Sequence, residues 1–213
     1  MRKFFFFLVS SVSFLNSFCQ SVDTVIDRNI YQSYYSFTIK EPLYVVYTLY
    51  KGGGNCKRTK MRFHQDEVTN TATDKDYKDQ HFDKGHLANA EDFAYDCTAE
   101  ELTFRYYNCL PQTVRLNRGI WKKWETTIRK ESKDKKLIVI AGGIFEDDIT
   151  IGPQHIGVPS ECYKLVLDSS TKKIIHCLIF KNDNSNTVEE ISLHELKSKL
   201  HYTLKPETYW KEN

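Results

Sequence analysis

The sequence predicts a single α+β domain. Several short runs are apolar and β-branched, as strands are, whereas apolar residues recur at helical spacing in only two places. Strands and helices follow one another irregularly, which argues against a doubly wound parallel sheet. The chain has 213 residues, of which 40% are hydrophobic and 27% are charged, and this is enough for one domain with a sizeable core.

Apolar, β-branched runs predict five strands. These are residues 43–50, 104–109, 137–141, 162–167 and 173–180. We expect Gly142 and Gly143 to end the third strand, and residues 168–171 to join the last two strands into a hairpin. Residues 51–55 are predicted to form a turn. The polar segment 64–80 is predicted to be a long surface loop, of a length that is usually functional or mobile.

Two helices are predicted. Trp121, Trp124 and Ile128 recur at helical spacing in a helix that begins near Leu116, and residues 193–200 form a second, short helix. Both tryptophans are expected to lie in the core.

Residues 1–20 have the pattern of a secretory signal peptide: a basic start, an apolar run over residues 4–15 and small residues near Cys19. The apolar run is too short to span a bilayer as a helix. An uncleaved anchor or a buried helix is the alternative. Cleavage near Gln20 would leave residues 21–213 as one domain in an extracellular or periplasmic location.

The net charge of the mature chain indicates no particular partner. Without Arg2 and Lys3, 28 of the 30 basic residues remain, and they equal the 28 acidic residues in number. Any attraction for nucleic acid must therefore come from local clusters of positive charge.

Five cysteines remain after cleavage. They are Cys56, Cys97, Cys109, Cys162 and Cys177. Their spacing matches no CxxC metal pattern, and an odd number leaves at least one thiol unpaired even where oxidation is possible. If the hairpin loop has an even number of residues, Cys162 lies opposite Cys177 and a disulfide between them is predicted. The alternative is that both are small apolar residues of the core.

Two segments, residues 83–93 and 108–125, contain side chains suited to phosphodiester hydrolysis. This reaction needs a base that activates water, positive charge at the phosphate and stabilisation of the leaving oxygen. His86 is the candidate base, and Lys84 is a nearby cation. Asn117 offers an amide oxygen to Mg²⁺, which keeps most of its waters and needs few protein ligands.

Asn117, Trp121 and Glu125 fall at positions i, i+4 and i+8 of the long helix. The two polar groups are therefore expected about 12 Å apart along the helix axis. Glu125 is then suited to hold a water molecule bound to the cation, and not to bind the cation itself. Structural alternatives exist, because a lone histidine is more often structural and an asparagine near a helix start is more often a cap.

Together the two segments resemble the signatures of the DNA/RNA non-specific endonucleases, a family of ββα-metal nucleases. Residues 83–93 are similar to the family's D-R-G-H motif, with Lys84 where the family usually has arginine. The second signature is similar to the segment that begins at Asn108 and ends at Glu125. The likeness covers roughly residues 30–205. Lysine keeps the charge of arginine but loses its planar, bidentate fork, which puts full activity in question.

The resemblance implies a role for each matching residue. His86 corresponds to the general base, Asn117 to the sole protein ligand of the metal and Glu125 to the acid that orders metal-bound water. Asn108 corresponds to a position near the active site, and Lys84 to the cation of the motif.

The resemblance also implies a fold, a cofactor and substrates. The fold is a central antiparallel sheet flanked by helices, with a ββα-metal element at its edge. The cofactor is Mg²⁺, for which Mn²⁺ is expected to substitute. The substrates are DNA and RNA, without base preference and without stable association with membranes. An upstream arginine lies near the phosphate in the family, and both Arg58 and Arg62 are candidates for it.

The predicted function is that of a secreted endonuclease in which a basic cluster meets the phosphate. The cluster consists of Lys84, Arg105, Arg115, Arg118, Lys122 and Lys123. Two alternatives remain open: a catalytically weakened relative that binds nucleic acid or a protein, and a phosphodiesterase acting on small nucleotides. The presence of His86, Asn117 and Glu125 together argues against the first alternative.

Overall fold

The computed structural model describes residues 20–68, 70–78, 81–146, 148–205 and 209. The predicted signal peptide lies outside these residues apart from Gln20, so it stays a prediction. No helix in these ranges combines the length and the apolar character needed to cross a membrane.

Eleven strands are found within the described ranges. They are β1 (Thr24–Asp27), β2 (Tyr31–Ser36), β3 (Glu41–Leu49), β4 (Phe82–His86), β5 (Cys109–Thr113), β6 (Leu137–Ile144), β7 (Thr150–Ile151), β8 (Ile156–Gly157), β9 (Glu161–Asp168), β10 (Ile174–Lys181) and β11 (Val188–Glu190). Seven of them form one antiparallel sheet in the order β1-β2-β3-β6-β9-β10-β11. The predicted central antiparallel sheet is confirmed.

The helices are short except for one. They are α1 (Asp74–Tyr77), α2 (Cys97–Leu102), α3 (Val114–Leu116), α4 (Lys122–Glu131) and α5 (Leu193–Lys199). A π-helical turn, Asn117–Trp121, connects α3 to α4, and shorter 3₁₀ turns occupy Arg58–Lys60, Ala90–Phe93 and Tyr106–Asn108. The two predicted helices are therefore present.

The centre of the sheet is apolar on both faces. All eight residues of β6 are buried between β3 and β9, as expected for a continuous apolar run. Gly142 and Gly143 do not end this strand as predicted, since it continues to Ile144. Glycine is needed at position 142 because a Cβ atom there would lie 2.4 Å from the carbonyl oxygen of Leu43.

The strand predicted at residues 104–109 is wrong. Its middle forms the 3₁₀ turn Tyr106–Asn108, and a strand begins only at Cys109. The run is apolar because Tyr106 packs into a small second core cluster while Tyr107 packs into the main one. A turn whose residues are all buried, against two different clusters, resembles a strand in the sequence.

The segment 64–80 is less exposed than a surface loop. It contains α1, and Thr71, Ala72 and Asp76 are fully buried in it. Residues 69, 79 and 80 lie outside the described residues.

The long helix is confirmed but not regular. Thr113 caps its start by accepting a hydrogen bond from the Leu116 amide, and Gly119 interrupts the helical backbone with φ −102° and ψ −112°. Trp121 is fully buried as expected, whereas Trp124 is only partly buried against the core.

The predicted disulfide between Cys162 and Cys177 is wrong. β9 and β10 do form a hairpin, but Cys162 lies opposite Phe180 and Cys177 lies opposite Leu165. The hairpin closes at the pair Leu167 and Ile174, which moves the register two positions from the predicted one, and a bulge between Ile174 and His176 moves it by one more. The cysteines are therefore offset by three positions, an odd number that places them on opposite faces of the sheet. Both are buried free thiols.

Candidate active site

The ββα element at one side of the sheet carries the residues of both sequence motifs. β4 pairs with β5 in antiparallel register, with His86 opposite Cys109, and the chain then turns directly into α3 and α4. This arrangement brings the end of the first motif against the start of the helix.

A cleft of about 420 Å³ lies between β4 and the kinked helix. Three of the predicted site residues, His86, Asn117 and Glu125, line this cleft together. The cations Arg58, Arg118 and Lys122 line it as well. Lys84 and Asn108 do not.

His86 is held at the end of β4 by aromatic contacts. Its ring lies 4.6 Å from the Phe63 ring and 4.7 Å from the Phe104 ring, measured between centroids. The Trp121 indole donates a hydrogen bond to the His86 carbonyl oxygen at 3.3 Å. The Nε2 atom is buried and finds no hydrogen-bond partner within the described part of the chain.

The His86 side chain is a neutral imidazole. Burial lowers its pKa from the ordinary value to about 3, and the positive charge of Arg58 contributes in the same direction. The ring is therefore free of its second proton at neutral pH and can accept one, but a pKa this far below neutral also makes it a weaker base.

Asn117 is oriented by Asp83. Its Nδ2 donates a hydrogen bond to the Asp83 carboxylate at 2.9 Å, and Arg118 donates two more to the same carboxylate at 2.8 and 2.7 Å. Burial raises the pKa of Asp83, but the hydrogen bonds from Arg118 and Asn117 outweigh it and lower the pKa overall. Because the amide nitrogen is used, the Oδ1 atom is the group that Asn117 offers to a cation.

Glu125 is buried in the wall of the cleft, with 8% of its surface exposed. Burial raises its pKa, while the charge of Lys164 and a hydrogen bond from Asn89 oppose the shift. Lys164 is itself buried, and its ammonium nitrogen lies 3.8 Å from the centroid of a Trp121 ring. Burial lowers the pKa of Lys164, while the carboxylates of Glu125 and Asp92 oppose this shift. A buried lysine thus lies close to the carboxylate that lines the cleft, which neither sequence motif indicated.

Lys84 lies beside the cleft. Its ammonium group forms an ion pair with Asp74 and lies 5.6–5.7 Å from the rings of Phe63, Tyr77 and Tyr106. It lines a shallower pocket that shares Asn117 with the cleft. Lys84 thus lies against a group of aromatic rings that includes Phe63, one of the rings in contact with His86.

Asn108 supports the backbone after His86. It is fully buried, its Oδ1 accepts a hydrogen bond from the Ala88 amide, and its Nδ2 donates to the carbonyl oxygens of Ala88 and Thr103. These three bonds use the side chain without any group left for a substrate. The geometry makes Asn108 a positioning residue.

The structure distinguishes the two candidate arginines. Arg58 lines the cleft and pairs with Glu91 at 2.7 Å and Glu100 at 3.3 Å. Arg62 donates to the carbonyl oxygens of Thr59 and Met61 and lines a different groove. Arg58 is therefore the arginine that a substrate in the cleft would meet.

Arg105 does not belong to the basic cluster predicted from the sequence. It is buried, and its guanidinium pairs with Asp66 and donates to the carbonyl oxygens of Glu101 and Phe104. Its charge stabilises the fold through these contacts and does not face a substrate in the cleft.

A disulfide fixes the turn that carries Arg58. Cys56 bonds to Cys97, the first residue of α2. The two cysteines are 41 residues apart, and no spacing pattern in the sequence pointed to this pair.

The donor set of the cleft fits a cation held weakly through oxygen. Among the described residues no group of three or more His, Cys, Asp and Glu side chains is arranged to bind a metal. One free amide oxygen, with a buried carboxylate nearby, suits a hard ion that keeps most of its waters, as Mg²⁺ does.

Gly85 is required by the packing of the first motif. A Cβ atom at this position would lie 2.1 Å from Oε1 of Gln112, which is fully buried. We expect Gly85→Ala to lower the free energy of unfolding by about 1–3 kcal/mol, measured by urea denaturation. In a Gln112→Ala background the same change should cost much less. Equal losses in both backgrounds would contradict the steric explanation.

The sequence model of the family described as "DNA/RNA non-specific endonuclease" matches residues 10–205. Mitochondrial endonuclease G of Bos taurus is 30% identical over 132 residues, covering 55% of this chain and 44% of the relative. Mitochondrial endonuclease G of Homo sapiens is 27% identical over 155 residues, covering 66% of this chain and 52% of the relative. The chain spans about half the length of these two relatives.

A solved structure has the same fold. A chain of the crystal structure of the EndoG/EndoGI complex superposes with a TM-score of 0.75 and 22% sequence identity. The match covers 84% of this chain and 84% of that chain.

Proposed function

Because the chain belongs to the DNA/RNA non-specific endonuclease family, we propose that it hydrolyses phosphodiester bonds of DNA and RNA without base preference. The observation that carries the proposal is the cleft in which His86, Asn117 and Glu125 meet. A base, an oxygen ligand for a cation and a buried carboxylate in one cleft are the groups that this hydrolysis needs.

His86 accepts a proton from the attacking water. Its lowered pKa keeps the ring neutral, and the Phe63 and Phe104 rings fix its orientation. The hydrogen bond from Trp121 to the His86 carbonyl ties this end of β4 to the helix that carries Asn117. The base and the residue that binds the cation are thereby held at a fixed distance and orientation to each other.

Asn117 would hold the divalent cation through its Oδ1 atom, and we propose Mg²⁺, with Mn²⁺ able to substitute. When bound, the ion supplies positive charge to the phosphate and to the leaving oxygen. Glu125 holds water in the same cleft by accepting its hydrogen bonds. Asp83 keeps the Asn117 amide turned so that its oxygen is free.

Arg58 and Lys122 bind the negatively charged phosphate. Both line the cleft and are exposed at its mouth. Glu91 and Glu100 hold the guanidinium of Arg58 in place before the substrate arrives. Phosphate contacts of this kind do not distinguish bases, which agrees with cleavage of many sequences.

We also propose that the protein is secreted. The pattern of residues 1–20 supports export, and so does the disulfide between Cys56 and Cys97, since disulfides persist mainly in oxidising compartments.

Incubation of the purified protein with plasmid DNA and with ribosomal RNA tests the function. We expect both to be cleaved in the presence of Mg²⁺ and neither in excess chelator. Binding without cleavage would favour the catalytically weakened relative. Hydrolysis confined to small nucleotide diesters would favour the phosphodiesterase.

Asp83→Ala is expected to raise the metal concentration needed for half-maximal cleavage by about 10–100-fold, the usual effect of removing a residue that orients a metal ligand. Titration of activity with Mg²⁺ measures it. Asp74→Ala is the matched control, because Asp74 pairs with Lys84 outside the cleft. An unchanged metal requirement in Asp83→Ala would show that Asn117 does not depend on this carboxylate.

A further inference from the structure

A second groove lies beside the active-site cleft. It has a volume of about 440 Å³, and its wall is formed largely by the segment that contains the Arg58–Lys60 turn. Three basic residues line it, Lys57, Lys60 and Arg62. We call it the basic groove.

Among the described residues, the lysines of the basic groove have no acidic partner. Lys57 and Lys60 are exposed and form no ion pair within the described part of the chain, and Arg62 bonds only to carbonyl oxygens. Glu101 is the one acidic residue among the described lining residues. The groove therefore keeps a local excess of positive charge on a chain whose overall charge is nearly balanced.

One turn of the chain contributes residues to both the cleft and the basic groove. Arg58 lines the cleft, whereas Lys57 and Lys60 on either side of it line the groove. The disulfide from Cys56 to Cys97 anchors the start of this segment, and Arg58 is tied to Glu91 and Glu100. The positions of the two lysines relative to the cleft are therefore fixed before a ligand binds.

We infer that the basic groove binds the sugar-phosphate backbone of the substrate strand, at phosphates that flank the one being hydrolysed in the cleft. This inference rests on the proposed function. The groove has no tyrosine, tryptophan or phenylalanine among its described lining residues, and His64 is the one ring there, so it offers mainly charge to a ligand. Lysine recognises phosphate as a point charge, which makes the contact independent of sequence.

The test compares two double variants that each lose two positive charges. Lys57→Ala/Lys60→Ala removes the lysines of the basic groove. Lys135→Ala/Lys136→Ala is the control, because these exposed lysines line neither the cleft nor the groove. Each is made in a His86→Ala background to measure binding of a fluorescein-labelled single-stranded oligonucleotide by anisotropy. Each is also made with His86 present to measure hydrolysis of bis(p-nitrophenyl) phosphate, which is too small to reach the groove.

We expect the groove variant to bind the oligonucleotide about 10–100-fold more weakly at low salt. The plot of log K against log salt concentration should become less steep by about 1.4, since two single-strand phosphate contacts are lost. Hydrolysis of the small diester should be unchanged, and the control should behave like its parent.

Three results would overturn the inference: unchanged binding by the groove variant, an equal loss in the control, or a parallel loss of small-diester hydrolysis. If the protein with His86 hydrolyses no diester at all, the proposed function fails. The anisotropy comparison still decides whether the groove binds nucleic acid.

Discussion

Replacing His86 by alanine is expected to lower turnover on plasmid DNA and on RNA by about two to four orders of magnitude, the range that general-base catalysis supplies. The imidazole is neutral at the end of β4 and has a buried nitrogen with no protein partner among the described residues. Alanine removes the only histidine that lines the described cleft. Initial rates at saturating Mg²⁺ measure the loss.

A control on the same wall separates the loss of the base from a change in the shape of the cleft. Thr126 lines the cleft and is exposed, and within the described residues its hydroxyl bonds only to the Lys122 carbonyl oxygen of its own helix. Thr126→Ala should therefore keep nearly full activity. If His86→Ala retains activity within about tenfold of the parent while remaining folded, His86 is not the base.

Asn117→Ala is expected to raise the Mg²⁺ concentration needed for half-maximal cleavage by more than about a hundredfold. Removing an orienting residue costs about 10–100-fold, and removing the ligand should cost more. The change leaves Asp83 bonded to Arg118, so the surrounding ion pair persists. Titration of initial rate with Mg²⁺ and with Mn²⁺ measures the shift.

If Asn117→Ala needs the same Mg²⁺ concentration for half-maximal cleavage as the parent protein, Asn117 does not bind the cation. Cleavage by the parent protein that continues undiminished in excess chelator would remove the metal from the reaction. Thr126→Ala again serves as the control, because its side chain lies in the cleft without an assigned role.

The class of fold was predictable because much of the information is local, and the resemblance of two short motifs to a known family singled out the three residues that share the cleft. The strand β3 is a continuous apolar, β-branched run, and the helix around Trp121 shows helical periodicity. His86, Asn117 and Glu125 lie in two short motifs that are joined by one β-strand pair. Local motifs of this kind determine local geometry, and the cleft follows from it.

Features that depend on distant contacts were not predictable. The Cys56–Cys97 disulfide joins residues whose proximity is set by the packing of α2, and the bulge in β10 changes the register on which the rejected cysteine pair relied. Whether Arg58 or Arg62 lines the cleft depends on the orientation of the Arg58–Lys60 turn. Each is decided by tertiary structure that no periodicity encodes.

The two outer strands of the sheet bear on solubility. β1 has four residues and β11 has three, and each is paired on one side only within the described sheet. Both carry exposed acidic side chains, Asp27 in β1 and Glu189 and Glu190 in β11. Short, charged edges make poor templates for a further strand, so two copies of the protein are protected from edge-to-edge aggregation.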